Sequence, residues 1–150
     1  MESKERSKSI FIEGEVPSSK NSKEIGFIFL KRGTPGKIYV RRNDSFLPVR
    51  LNLNSSKQTK KYIKDRSILY VAHKQEFEKL VEGKLPPYKV EFTFHRKTRR
   101  KFDYINAAQI VQDLMVEFGW IEDDNCEFLI PYFGEWIHDK ENPGVTISIL

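Results

Sequence analysis

The side chains best suited to take part in a reaction are mostly acidic and lie in a short segment, positions 103–124. They are three separate polar or acidic residues followed by an adjacent acidic pair: Asp103, Asn106, Asp113, Asp123 and Asp124. Magnesium prefers carboxylate and water oxygens as ligands, and a bound cation relieves the repulsion between adjacent carboxylates. The segment is therefore a candidate divalent-metal site, where a metal would polarise a phosphate and lower the pKa of an attacking water.

A run of basic residues comes directly before the acidic segment. It contains five cations within six positions: Arg96, Lys97, Arg99, Arg100 and Lys101. Such side chains bind the phosphates of a nucleic-acid backbone and offset its charge; a solvated loop is the alternative. A second basic stretch, residues 57–66, is interpreted either as a solvated helix face or as a second phosphate contact.

The acidic residues also have an ordinary structural explanation. On a helix that advances about 100° per residue, the polar residues Asn106, Gln109, Asp113 and Glu117 fall on one side and apolar residues on the other. Such a polar side is commonly the solvated face of an amphipathic helix. Adjacent aspartates are common in turns. Residue types and spacing alone leave both interpretations open.

Two helices and a strand are predicted to position these residues. They are a long helix from about Gln58 to Val81, a strand from Tyr88 to His95, and a second helix from about Tyr104 to Phe118, closed by Gly119. Residues 54–56 (NSS) offer N-cap side chains to the long helix, and Gly83 with the following prolines ends it. The acidic segment thus begins before the second helix and ends beyond it.

The remaining elements are predicted to be strands. Ile10 to Val16 alternates as a strand does, and a polar loop follows at 17–23. Phe27 to Leu30 and Lys37 to Arg41 are predicted to pair as a hairpin, whereas 44–53 is ambiguous. Cys126 to Pro131 and Val145 to Leu150 are the last predicted strands. This order predicts one α+β domain over residues 1–150, with a small mixed β-sheet packed with two main helices and a loose tail at 1–8.

Composition narrows the class of protein. Of the 150 residues, 39% are hydrophobic and 31% charged, and the net charge is +5, which is compatible with a polyanionic partner. Cys126 is the only cysteine, so neither an intrachain disulfide nor a cysteine-based zinc cluster can form. The three histidines have no metal-ligand spacing, and no glycine-rich phosphate loop is present. With no signal-like or membrane-spanning stretch, we expect a cytoplasmic protein, encoded by a bacterium or a phage.

The acidic and basic segments together resemble the RusA-like Holliday junction resolvases. Those proteins carry a basic stretch, then Asp-x-Asp-Asn-x-x-Lys, an Asp four residues on, and an Asp-Asp pair after a short helix and a Gly-containing turn. Here the matching segments are 101–109 (KFDYINAAQ), 113–114 (DL) and 119–124 (GWIEDD), without a gap. Residues 17–21 (PSSKN) are similar to the family's loop after its first strand.

The resemblance implies a homodimer that binds four-way DNA junctions and cuts phosphodiester bonds with Mg²⁺ or Mn²⁺. Asp103 matches the family's first catalytic aspartate, and Asp123 with Asp124 matches its acidic pair; these three are the implied metal ligands. Asn106 and Asp113 match supporting polar positions. The basic run from Arg96 to Lys101 would hold the DNA.

Two positions depart from the family's pattern. Ile105 stands in place of the second aspartate, and Gln109 in place of the lysine. Ile105 cannot bind a cation, and Gln109 can hydrogen-bond a phosphate but brings no charge. The missing carboxylate could come from Asp113, Glu122 or Glu127, and the charge from Lys101. Otherwise the chain is a junction-binding protein that does not cut, or a structural partner in a phage or mobile-element replication complex.

Overall fold

Two helices and eight strands form within the residues that the structure, a computed structural model, describes: 9–18, 23–36 and 38–150. The elements are β1 (Ser9–Glu13), β2 (Lys23–Phe29), β3 (Ile38–Arg42), β4 (Ser45–Ser55), α1 (Lys57–Leu80), β5 (Tyr88–Arg96), α2 (Tyr104–Glu117), β6 (Leu129–Phe133), β7 (Ile137–His138) and β8 (Gly144–Ile149). The predicted tail at 1–8 and residues 19–22 of the predicted loop lie outside the described residues.

The main sheet has the order β1-β8-β5-β6, with β7 pairing the far end of β5. It is mixed, because β5 runs parallel to β6 and antiparallel to β8. Alternate side chains of β5 are fully buried, namely Val90, Phe92 and Phe94, as the period of two requires when one face covers a core. The predicted α+β class, with two helices and a mixed sheet, is confirmed.

The long helix α1 begins and ends within one residue of its predicted bounds. The Ser56 side chain caps its first turn by accepting a hydrogen bond from the Thr59 backbone N–H at 3.2 Å. Its buried side chains include Tyr70 and Phe77, and the Phe77 ring stacks on Trp120 with centroids 5.2 Å apart. In the described chain, neither α1 nor α2 has an apolar stretch long enough to cross a membrane.

The second helix, α2, is amphipathic in the predicted sense. Its buried positions are Ala107, Ala108, Ile110, Val111, Leu114 and Met115, whereas Gln109, Asp113 and Glu117 are exposed and Asn106 is half-buried. Gly119 follows the helix with φ +73°, a left-handed conformation that glycine adopts without steric cost. This turn lets the Trp120 backbone N–H donate to the Met115 carbonyl at 2.8 Å.

Several predicted strands were placed wrongly. The hairpin of the second and third strands does not exist, because β4 lies between β2 and β3 and pairs with both. The strand predicted to begin at Cys126 begins at Leu129, since a turn in which Phe128 N–H bonds the Asn125 carbonyl comes first. The first strand ends at Glu13, before Gly14 at φ +101°. The two-residue strand β7 was not predicted.

The β2-β4-β3 sheet is a separate three-stranded sheet. Its strands contact one another extensively and make few contacts with the helices and with the main sheet. The ambiguous segment at 44–53 is its central strand, β4. The fold therefore consists of a main body, formed by the mixed sheet and two helices, and a β-arm formed by β2, β3 and β4.

Two buried tyrosines of α1 make the stability of the fold sensitive to alkaline pH. Their hydroxyls lie 3.0 Å apart, and burial raises the pKa of Tyr62 to about 12 and that of Tyr70 well above 10. In the unfolded chain tyrosine ionises near pH 10. The contribution of the two neutral tyrosines to the free energy of unfolding is therefore complete below pH 10 and is lost as the pH rises toward 12 and beyond.

We predict that replacing both residues, Tyr62→Phe with Tyr70→Phe, flattens this pH dependence. Between pH 10 and 12 the wild type should lose at least about 2 kcal/mol more unfolding free energy than the double variant, because two pKa units correspond to roughly that energy. Urea unfolding followed by tryptophan fluorescence at each pH measures the difference. Equal losses in the two proteins would contradict it.

Candidate functional site

A basic cleft of about 500 Å³ opens between three segments of the main body. Its walls are the loop at 14–18, the first turns of α1 and the segment that follows β5. Five cationic side chains line it, against two carboxylates, Glu15 and Asp65: Lys61, Arg66, Arg96, Arg100 and Lys101. The excess of positive charge makes the cleft suited to an anionic ligand.

Arg96 forms the fixed inner wall of this cleft. Its side chain is only 11% exposed, and its Nε lies 3.2 Å from Glu15 Oε1. One guanidinium N–H donates to the Val16 carbonyl at 2.5 Å, and the group lies over the Phe102 ring, 4.8 Å from its centre. Burial lowers the pKa of Arg96, and the Glu15 carboxylate opposes that shift. These contacts join the loop after β1 to the end of β5.

Arg66 of α1 approaches the loop closely because position 14 is glycine. A Cβ on Gly14 would lie 2.4 Å from Arg66 Nε, closer than any side chain allows. The space lets the Arg66 guanidinium reach Glu13 Oε1 at 3.1 Å. Lys61 likewise pairs with Asp65, whose pKa its hydrogen bond lowers. These cations are thus held in place by local carboxylates.

Arg100 and Lys101 differ from the other cations of the cleft. Both are exposed, and neither forms an ion pair with any residue that the structure describes. Their charges are therefore available to a ligand. Asp103, the N-cap of α2, follows Lys101 by two residues and does not itself line the cleft.

The predicted first aspartate is the N-cap of α2. Asp103 is exposed, and its Oδ1 accepts a hydrogen bond from the Ile105 backbone N–H at 2.9 Å. An acidic side chain at this position also interacts favourably with the positive end of the helix dipole. The supporting residues Asn106, Gln109 and Asp113 lie along the same helix, in that order from its N-terminal end.

The predicted acidic pair lies beyond the other end of α2. Asp123 Oδ1 accepts from the Asp124 backbone N–H at 2.8 Å, and its Oδ2 accepts from the Asn125 side-chain amide at 2.8 Å. Both oxygens of Asp123 thus stabilise the local turn. Asp124 is half-buried, and its carboxylate has no such hydrogen bond to the described residues.

One chain does not bring the three predicted metal ligands together. α2 has 14 residues, which at 1.5 Å per residue separates its ends by about 21 Å. The backbone N–H groups of Trp120 and Ile121 bond the Met115 carbonyl, which keeps the following acidic pair near the C-terminal end. Within residues 9–18, 23–36 and 38–150, no three His, Cys, Asp or Glu side chains could hold one metal ion.

The structure brings more of the predicted basic residues together than of the predicted acidic ones. Of the five predicted DNA-binding residues, Arg96, Arg100 and Lys101 line the cleft, whereas Lys97 and Arg99 are exposed outside its lining. The contributions of Gly14 and Glu15 were missed. The basic stretch at 57–66 indicated that α1 takes part in the cleft, because two of its residues, Lys61 and Arg66, line it.

Comparison with protein-family models and with curated proteins finds no match for this chain.

Proposed function

We propose that this chain is a RusA-like endodeoxyribonuclease that cuts four-way or other branched DNA junctions as a homodimer, with Mg²⁺ or Mn²⁺. The observation that carries the proposal is the basic cleft, whose residues Arg100 and Lys101 come shortly before Asp103 in the chain. A DNA phosphate held by Arg100 and Lys101 would lie beside the first acidic residue of the matched pattern. Contacts of this kind bind the backbone without reading base sequence, as selectivity for DNA shape requires.

The proposed homodimer would reconcile a shared metal site with the separation of the carboxylates. Magnesium takes its ligands at about 2.0–2.1 Å, so Asp103 cannot share an ion with an acidic pair at the other end of the same helix. A two-fold axis that sets two α2 helices antiparallel would bring Asp103 beside Asp124 of the partner subunit. Asp123 then supports the turn that presents Asp124.

Apolar residues next to Asp103 support contact with a second copy there. Ile105 is 69% exposed, and Phe133 and Ile137 are also exposed. The Phe133 ring lies 5.5 Å from that of Tyr104 on α2, which places this surface beside the N-terminal end of the helix. Adjacent exposed apolar side chains are typical of surfaces that another molecule covers.

A second candidate function is junction binding without cleavage. Its specific support is that Ile105 occupies an open position where the family carries an aspartate, and that Asp123 is already engaged by two local hydrogen bonds. Gln109 adds no charge in place of the lysine. Such a protein would retain the basic cleft and the affinity for branched DNA.

We predict symmetric nicks in a labelled synthetic four-way junction when the protein is supplied with Mg²⁺ or Mn²⁺, and none in EDTA. Asp124→Asn should lower the nicking rate at least about 100-fold while junction affinity stays within threefold, because it removes a carboxylate and leaves the basic cleft intact. Glu82→Gln, an exposed change beyond the end of α1, is the matched control and should nick normally. Denaturing gels and fluorescence anisotropy measure the two quantities.

The same assay separates the alternatives. Tight junction binding with no nick at any metal concentration would support the binding protein and reject the nuclease. Equal affinity for a junction and for linear duplex would reject both. That outcome would favour the third role, a structural partner in a phage or mobile-element replication complex.

A second prediction concerns the cleft itself. Arg100→Ala with Lys101→Ala should weaken junction binding in EDTA and lower the magnitude of the slope of log K against log salt by about 2, since each lost phosphate contact removes about 0.9. Lys79→Ala with Lys84→Ala removes the same charge at the far end of α1 and should leave the slope unchanged. An unaltered slope in the Arg100/Lys101 variant would show that DNA does not bind in the cleft.

A further inference from the structure

The β-arm ends in a hairpin of β3 and β4, which carries aromatic and basic side chains on one face. The two strands turn at Asn43, whose φ of 54° is tolerated by asparagine. In the antiparallel register Arg41 lies opposite Phe46, and Tyr39 lies opposite Pro48. Because side chains alternate between the faces of a strand, Tyr39, Arg41 and Phe46 share one face. We name these three residues the hairpin face.

The hairpin face is open to solvent. Phe46 is 68% exposed and Tyr39 52%. Among the residues whose side chains the structure describes, Arg41 forms an ion pair with Asp44 at 3.9 Å, and that pair is highly exposed and therefore weak. Two rings and one guanidinium group thus share the exposed face of the hairpin. Arg32 adds a cation on the opposite face, where a guanidinium N–H lies 3.5 Å from Ser45 Oγ.

Charge and area both bear on what covers this face. The described side chains between positions 28 and 50 include one acidic residue, Asp44, and four basic ones: Lys31, Arg32, Arg41 and Arg50. The two aromatic side chains alone bury about 300–500 Å², less than the roughly 800 Å² per partner of a stable protein interface. A small, positively charged aromatic surface suits unpaired nucleotides, whose bases stack on rings while cations hold the phosphates.

We propose that the hairpin face binds an unpaired DNA strand, with bases stacked on Tyr39 and Phe46 and a phosphate held by Arg41. This second proposal extends the proposed function and depends on it for the choice of DNA as the ligand. It requires neither the metal site nor cleavage. The main body would hold the paired arms of a junction in its basic cleft, and the β-arm would hold nucleotides that are unpaired at the branch point.

The test compares rings with apolar side chains that lack a ring. Tyr39→Leu with Phe46→Leu should weaken binding of a labelled oligothymidylate strand in EDTA by roughly 30-fold, at the lower end of the effect expected for two lost stacking platforms. Tyr39→Phe with Phe46→Tyr keeps both rings and should bind within threefold of the wild type. Ile38→Ala, on the opposite face of β3, controls for truncation within the sheet.

A measurement on the unmodified protein provides a second readout. An oligothymidylate containing one 2-aminopurine should lose fluorescence on binding, because stacking on an aromatic ring quenches that base. Wild-type affinity in the leucine variant, or binding without quenching, would overturn the proposal. So would a fall in oligomeric mass of the leucine variant at unchanged strand affinity, since the face would then contact a second copy. All arms are run in EDTA, so a failure here is distinct from a failure of the wild type to nick junctions.

Discussion

The constraint on which the acidic site depends is the rigidity of α2. Its apolar face is buried against the main body, Asp103 caps one end, and Gly119 with the Trp120 hydrogen bond fixes the other. A helix of 14 residues spans about 21 Å, and the two carboxylates flank its opposite ends. Asp103 and Asp124 belong to one short sequence pattern but lie at opposite ends of the helix in the folded chain. A function that needs Asp103 and Asp124 at one ion needs two chains.

The basic cleft is built on the same body and is complete in one chain. Arg96 belongs to β5 and is held by Glu15 and Val16 from the loop after β1, while Arg66 reaches Glu13 from α1 because Gly14 has no side chain. Arg66 and Arg96 are thus held by ion pairs, whereas Arg100 and Lys101 form none with the described residues and are left to meet a ligand. The proposed DNA contact therefore needs only one chain, whereas the proposed metal site needs two.

The sequence predicted those features that depend on local patterns. Period and capping residues located α1, β5 and α2 closely, because an amphipathic repeat and a cap act within a few residues. The pairing of strands from distant segments was harder to predict from sequence. β4 lies between β2 and β3 in the sheet, but no local pattern in residues 27–41 distinguishes a hairpin from two strands that both pair with a third. The acidic segment shows the same limit. Its spacing was sufficient to suggest a family, but spacing along a helix does not reveal that its ends cannot meet.

Complementation between two inactive variants tests the shared site most directly. Asp103→Asn and Asp124→Asn each leave no intact site in a homodimer, but a heterodimer of the two regains one complete site, with Asp103 from one chain and Asp124 from the other. Co-expressed chains should therefore nick a four-way junction at about a quarter of the wild-type rate, since about half of randomly paired dimers are mixed and each has one of two sites. If the co-expressed chains remain as inactive as either variant alone, while the wild type nicks, the carboxylates act within one chain and the shared site is wrong.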